Sequence, residues 1–354
     1  MRKISWIIVL LCGFSMVSHA RIQEHVVLYP SVDRHGDSLL LSGKITIPEQ
    51  PVKGIILLSH YTIGADKEVP SNCIPPEARQ LKKDYILVMP DYLGYGATKD
   101  RFPPYLDGEL TAHHCVDMLL YARSFLDSIQ VTFPPDLYLV GFSQGAAVAL
   151  WTLQRLETLY AQDFEVKRCF AGSGPYDVAT TFDDAVVRNK VGMPMVVPLL
   201  VMGTSTAYDL NLQQEDFFTP STEQCFDEYI ASKKYSVLSL FSRMPSHRLD
   251  KWLNEKGRDK TQPATQQLYA GFMQSSLVHF DISDTFADSV CPSWTPRTPV
   301  YIFHSYDDDV VCFLNAEHLH RCFVNEPNII WDFGHYGGHL TSLISFFSRV
   351  HKAL

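Results

Sequence analysis

Positive charge is scarce in this chain of 354 residues: 30 lysines and arginines stand against 39 aspartates and glutamates, for a formal net charge of −9. No basic stripe gathers the cations that are present, so a run of phosphates could not be neutralised and nucleic acid is excluded as a partner. Cys-x-x-Cys does not occur, which argues against both a redox motif and a zinc ribbon. There is no Asn-x-Ser/Thr acceptor, which fits a bacterial exported protein. Internal repeats and low-complexity segments are missing as well. Past the N-terminus no second long apolar run appears, so no stable membrane anchor is expected.

The first 20 residues read as a secretory signal. Arg2 and Lys3 form a charged end, Ile4 to Met16 is apolar, and Ser18-His19-Ala20 offers small residues for cleavage. A lipoprotein reading through Cys12 fails on Leu11, which is too large for the usual processing site. The mature chain is therefore expected to start near Arg21 and to be secreted or periplasmic. Of the eight cysteines, Cys12 leaves with the signal, and the odd remainder means that at least one stays free unless it pairs between chains.

Alternation of strand and helix patterns points to an α/β fold with a mostly parallel central sheet flanked by helices. Residues 24–49 read as a hairpin turning through Arg34-His35-Gly36-Asp37. Buried strands are expected at 54–60, 85–91, 137–142, 167–171, 299–304 and 328–331, and helices at 75–83, 110–126, 144–158 and 341–352. Between 179 and 291 the rhythm gives way to helical patterns rich in Met, Phe, Tyr and Leu. The expected organisation is a core first part at 21–178, a helical cap inserted at 179–291, and a core second part at 292–354.

One stretch organises the rest. Leu137-Tyr138-Leu139-Val140 runs into Gly141-Phe142-Ser143-Gln144-Gly145, a Gly-x-Ser-x-Gly between an apolar strand and a helix that opens on small residues. This is the pattern of a nucleophile elbow, in which side chains two before and two after the serine would collide with backbone. A serine hydroxyl needs a histidine to take its proton and a carboxylate to hold that histidine, and here both should follow the serine on loops after strands. Asp307-Asp308-Asp309 follows the strand ending at His304, with Asp177 as competitor. His339 stands at the mouth of the last helix behind Gly337-Gly338, and His335 is the alternative. The oxyanion needs two amides: Gln144 supplies one, and Thr62 or Tyr61, after the strand ending at His60, supplies the other. Gly203-Thr204-Ser205-Thr206-Ala207 resembles a relaxed elbow but lacks the final glycine. No histidine pair at ligand spacing comes with a third ligand, so neither metal nor other cofactor is expected.

These motifs resemble the α/β-hydrolase superfamily, and in particular secreted esterases similar to fungal secretory lipases and the cell-wall-degrading esterases of plant-pathogenic bacteria. The resemblance covers about 54–178 and 296–354. It rests on Leu58-Ser59-His60-Tyr61-Thr62, Pro90-Asp91-Tyr92-Leu93-Gly94-Tyr95-Gly96, the elbow, His304-Ser305-Tyr306-Asp307-Asp308 and Gly338-His339-Leu340-Thr341. Such relatives carry His-Gly-x-x-Asp with the acid in fifth place, and that register implies Asp308. Tyr61 and Ser305 depart from the pattern, each standing where glycine is usual.

The resemblance implies an exported serine hydrolase acting on a small-molecule carboxylic ester, which includes acylated carbohydrate and lipid. Met193, Met195, Leu199, Leu200, Met202, Leu240, Phe241 and Phe272 of the cap are the candidate apolar contacts for the acyl group. A serine peptidase of the same fold and a silent binding scaffold are the alternatives; the scaffold is disfavoured because serine, acid and histidine all stand in the required order.

Overall fold

The computed structural model describes residues 22–49, 51–244, 246–280 and 290–354. The signal expected at 1–20 lies outside the described residues, as does 281–289 near the end of the expected cap.

Eight strands form one sheet: β1 (Gln23–Val32), β2 (Ser38–Ile47), β3 (Gly54–Ser59), β4 (Tyr85–Pro90), β5 (Leu137–Phe142), β6 (Val166–Gly172), β7 (Val300–Ser305) and β8 (Ile329–Gly334). Their order is β1-β2-β4-β3-β5-β6-β7-β8. β1 and β2 are an antiparallel hairpin, β2 is antiparallel to β4, and the other neighbours are parallel. The burial pattern follows from this position. On the edge strand β1, Val27 and Tyr29 point inward while Val26 and Leu28 are exposed. The central β3 and β4 are buried at every residue, and accordingly read Gly-Ile-Ile-Leu-Leu-Ser and Tyr-Ile-Leu-Val-Met-Pro.

Successive side chains of β3 feed opposite cores. Ile55 and Leu57 join the layer under the helices Gly108–Ser128 and Gln144–Leu159, with Val116, Leu119 and Leu153. Ile56 and Leu58 join the layer under the helix His339–Ala353, with Phe346 and Phe347. The helix expected over 75–83 forms only at Ala78–Leu81. Pro75 and Pro76 are spent in the preceding turn, and β4 begins at Tyr85, which leaves no length for a second turn.

Between β6 and β7 the described residues are mainly helical and add no strand to the sheet. They build their own apolar cluster, with Phe182, Leu200, Phe217, Leu240, Leu268 and Phe272 at its centre and Tyr105 and Leu106 reaching in from the core. Leu277 and Val278 already pack with the main core. No described helix is long and apolar enough to cross a membrane.

The parallel strands all end at one edge, and the chain reverses its direction of winding at β3, which has β4 on one side and β5 on the other. Crevices for ligands form outside the carboxyl ends of strands at such a reversal.

Below that edge, Cys291 and Cys322 are bridged across 31 residues, while Cys73, Cys115, Cys169, Cys225 and Cys312 are free. A loop of that length, closed in the unfolded chain, corresponds to about 3.5 kcal/mol of stability. Cys291→Ser is expected to lower the unfolding free energy by roughly this amount under non-reducing conditions; denaturant unfolding with and without reductant checks it, since reductant should act on the wild type alone.

Candidate active site

Ser143 follows β5 directly and is the N-cap of the helix Gln144–Leu159, with φ 56 and ψ −127. This left-handed backbone is disfavoured for a side chain and persists only where the surroundings impose it. Three contacts impose it here. The Ser143 amide donates to the Gly172 carbonyl of β6 at 2.8 Å. A Cβ on Gly141 would fall 2.0 Å from the Gly145 carbonyl oxygen, and one on Gly145 would fall 2.1 Å from that of Ser59. Both glycines of the elbow are therefore fixed by backbone meeting backbone.

The hydroxyl so presented is met by the last helix. His339 Nε2 lies 2.8 Å from Ser143 Oγ, and its Nδ1 lies 2.7 and 3.0 Å from the two carboxylate oxygens of Asp308. Because Nδ1 donates to the carboxylate, Nε2 is the lone-pair nitrogen and accepts from the serine hydroxyl. All three side chains are buried. Burial pushes the Asp308 carboxyl up, but the charge and hydrogen bond of His339, the charge of His304 and the Val311 amide outweigh it and hold it below its ordinary range. The amides of Val310 and Val311 donate to Asp308 Oδ1 at 3.0 and 2.9 Å.

The neighbouring carboxylates have other partners. Asp309 accepts from the His339 amide at 3.0 Å and so fixes the start of the last helix. Asp307 lies 3.0 Å from the ring of His335 on the exposed surface. His335 thus stands apart from Ser143, and of the two candidate histidines the structure brings His339 to the serine. Ser305 stitches the two loops together: its hydroxyl donates to the Gly337 carbonyl at 2.7 Å and accepts from the Tyr336 amide at 3.1 Å.

Ser59 pairs with Gly141 across β3 and β5, which sets the loop after β3 beside the elbow. Thr62 is buried there, and its hydroxyl is 2.6 Å from that of Tyr105. Among the described residues the Thr62 amide donates to no protein acceptor, and Gln144, as the first residue of its helix, has no carbonyl one turn earlier. Tyr61 is half-buried, and its carbonyl accepts from His60 Nδ1 at 2.7 Å.

Beside Ser143 lies a cavity of about 20 Å³, room for about one water molecule, lined by Thr62, Tyr105, Leu106, Pro175, Val178, Thr181, Met193, Val196, Leu200, Val310 and Val311. Of the eight apolar residues expected to face the site, Met193 and Leu200 do so. Met195, Leu240 and Phe241 line a separate crevice, Leu199 and Phe272 are buried inside the inserted block's own cluster, and Met202 is half-buried against that cluster. Tyr105, Val196 and Val311 escaped the sequence reading; a β-strand end followed by an apolar pair was the one available signal for Val310-Val311.

The competitors fall elsewhere. Asp177 caps the helix Val178–Arg188 through the Thr180 amide at 3.0 Å and takes hydrogen bonds from His318 and His279 at 2.8 and 3.1 Å. Burial raises its carboxyl, yet the two imidazoles and the Thr180 amide prevail and hold it far below the carboxylate range. Ser205 lies inside the helix Val196–Tyr208, where its hydroxyl accepts from the Leu212 amide at 3.1 Å; the apolar run before it is that helix's own. Among the described residues no group of three His, Cys, Asp or Glu side chains is disposed to hold a metal ion.

The sequence profile of the secretory lipases matches residues 77–346. A secreted triacylglycerol lipase of Malassezia furfur is 26% identical over 238 residues, which are 67% of this chain and 55% of that protein, so the match spans about half of the relative's length. Among solved structures, the rice cell wall degrading esterase LipA of Xanthomonas oryzae superposes with a TM-score of 0.76 at 18% identity, over 94% of this chain and 89% of that one. Candida antarctica lipase A superposes with a TM-score of 0.64 at 16% identity, over 92% and 78%. The α/β-hydrolase fold is common to all of these structures.

Two substitutions separate the scaffold from the site. Gly145→Ala must drive the helix off β3 and is expected to abolish the folded elbow, read as loss of soluble, protease-resistant chain. Asp177→Asn leaves two imidazoles without their carboxylate and is expected to cost about 3–5 kcal/mol. A carboxylate with a depressed folded pKa gives stability that is complete above its ordinary 3.8 and is lost as pH falls toward the folded value. Urea unfolding midpoints should therefore drop more between about pH 5 and pH 3 in the wild type than in Asp177→Asn.

Proposed function

Because the chain belongs to the secretory lipase family, we propose that it is an exported serine hydrolase that cleaves small-molecule carboxylic esters through an acyl-enzyme. The single observation that carries this reading is the continuous relay of hydrogen bonds from Asp308 through His339 to Ser143, at 2.7 and 2.8 Å.

In this reading Ser143 Oγ attacks the ester carbonyl carbon while His339 Nε2 takes the hydroxyl proton. The carbonyl π electrons move to oxygen, which the amides of Gln144 and Thr62 receive, with Tyr61 as the alternative donor on the same loop. Collapse of the tetrahedral adduct expels the alcohol, protonated by His339, and leaves Ser143 acylated. Water, deprotonated by His339, then attacks the acyl carbon, and collapse of the second adduct breaks the acyl–Oγ bond, releases the carboxylic acid and returns the proton from His339 to Ser143. Asp308 stays ionised throughout and stabilises the imidazolium, for which its depressed pKa suits it.

The inserted block, 179–291, serves in this reading as the cap. Met193, Val196 and Leu200 close over Ser143 and leave a space too small for an acyl chain, so its helices must shift for substrate to enter. The apolar lining suits the acyl group of an ester, whether the alcohol is a sugar, a glycerolipid or a simple alkanol.

Hydrolysis of p-nitrophenyl esters from acetyl to palmitoyl tests the proposal. Ser143→Ala is expected to lower kcat by at least about 10³-fold and Asp308→Asn by about 10⁴-fold, while Ser205→Ala and the folded fraction of Asp177→Asn stay near wild type. A fluorophosphonate should label the wild type and not Ser143→Ala. Labelling without turnover of any ester would favour a peptidase; no labelling would favour a binding scaffold.

A further inference from the structure

Lys233 belongs to the inserted block, yet its ammonium ends among loops of the core. The side chain is buried, and its backbone sits in the left-handed region at φ 53, a conformation a lysine keeps only where its surroundings fix it. Nζ donates to the carbonyls of Gly94 at 2.5 Å and Lys99 at 2.6 Å, and to that of Arg101. Three protons meet three acceptors, so the charge is satisfied without solvent. The Tyr95 ring lies 5.4 Å from the ammonium. The main chain is held too: the Lys233 carbonyl accepts from the Asp66 amide at 2.9 Å, and Lys234 pairs with Ala65.

The core segments so gripped are those that brace residues 60–64. The Tyr95 hydroxyl donates to the Ile63 carbonyl at 3.1 Å, and the Gly96 amide donates to the Asp66 carboxylate at 2.8 Å. His60 stacks on Tyr92 with ring centroids 3.9 Å apart. The 94–101 segment has only the short turn Gly96–Thr98 of its own. Three of its carbonyl dipoles converge on one point, an arrangement that is repulsive unless a cation stands there.

We infer that Lys233 is a positioning residue for the oxyanion: its charge gathers the 94–101 segment, and through Tyr95, Gly96 and Asp66 this fixes the loop whose Tyr61 and Thr62 amides face the reacting carbonyl. The inference rests on the proposed role of those amides.

Discharge of the lysine should undo the arrangement, because a neutral amine turns a lone pair toward one of the carbonyls. The charged and titratable groups facing it are Asp66 from the 65–66 loop and Asp100 and Tyr95 from the 94–101 segment, with Lys234 next in its own chain. Burial brings the ammonium down to about 8, with Asp66 and Asp100 opposing. The folded value lies below the ordinary 10.5, so between these values discharge is easier in the folded chain than in the unfolded one. Rising pH therefore does not weaken folding through this residue, and loss of turnover there is not its unfolding.

The test compares wild type, Lys233→Met and Ser143→Ala as full chains, with titrimetric hydrolysis of ethyl butyrate from about pH 7 to pH 9.5 and melting temperatures at each pH. Lys233→Met is expected to lose about tenfold in kcat near pH 7, with KM within about twofold, because misaligned amides weaken the transition state more than the ground state. Its kcat should be flat with pH, and that of the wild type should fall above about pH 8 toward the same level. A trifluoromethyl ketone, which forms an anionic adduct with serine, should lose affinity by the same factor as kcat/KM, while inhibition by butyrate is unchanged. Wild-type kcat and alkaline limb in Lys233→Met, with Ser143→Ala inactive, would overturn this inference alone. Equal weakening of ketone and butyrate would also overturn it, as general loosening. Full turnover by Ser143→Ala would overturn the hydrolase reading and this inference with it. Should Lys233→Met not fold, Lys233→Gln, which keeps an amide donor without the charge, takes its place: wild-type kcat and ketone affinity in that variant would refute the role.

Discussion

The constraint on which the rest depends is the contact between residue 145 and β3. A helix can begin at once after a strand only if the chain doubles back within a residue or two, and here the Ser59 carbonyl leaves no space for any atom beyond Cα at Gly145. That contact holds Ser143 at its positive φ with the hydroxyl above the sheet edge. It also decides what surrounds the hydroxyl. The helix start lies beside the loop after β3, packed against the Ser59 and His60 carbonyls. Neither the orientation of the serine nor the packing of the helix start on the loop after β3 needs a separate cause.

The loop after β7 illustrates how one local sequence divides its work. Asp307, Asp308 and Asp309 are chemically identical, yet one pairs with an exposed imidazole, one is sealed beneath His339 and one caps the helix that carries His339. The difference is made by the direction of each residue as the chain leaves β7, and by Ser305, whose hydroxyl ties this loop to 336–337. Ser305 thus joins the loop after β7 to the loop that leads into His339. A hydroxyl there is compatible with the fold because its oxygen finds both a donor and an acceptor.

What the sequence revealed and what it hid divide along the range of the interactions. The sheet, the hairpin and the elbow were legible because each is specified by neighbours in the chain: burial on both faces reads as an unbroken apolar run, and a backbone collision reads as glycine. The choice among three adjacent aspartates was not a local matter and needed the register of related sequences. The apolar lining was read poorly for a physical reason. The helix Val196–Tyr208 is apolar on nearly every side, so periodicity cannot tell the face over Ser143 from the face in the block's own core, and of the eight expected residues only Met193 and Leu200 line the cavity beside Ser143. Lys233 was invisible because its partners are backbone carbonyls, which leave no trace in composition or spacing. Asp177 was read as a possible acid from its place after β6; it is an anchor, because His279 and His318 arrive from segments remote in sequence.

The inserted block touches the core in two chemically different ways, and the two differ in what it costs to separate them. Over Ser143 the contact is apolar: Met193, Val196 and Leu200 meet Val310, Val311 and Leu106. Such surfaces have no directional bonds, so separating them costs in proportion to the area exposed. Beside the 60–68 loop the contact is polar and saturated. Lys233 holds three carbonyls there, and Glu68 accepts at once from Gly64, Ala65 and Val237. Breaking these bonds would strand a buried ammonium and a half-buried carboxylate as well as dipoles, a far steeper penalty. A block that moved as one rigid body would have to break both contacts together, and residues 60–64 would lose their bracing with them. A displacement confined to the segment 178–208 would separate the apolar contact alone and leave the bonds of Lys233 and Glu68 to the core intact.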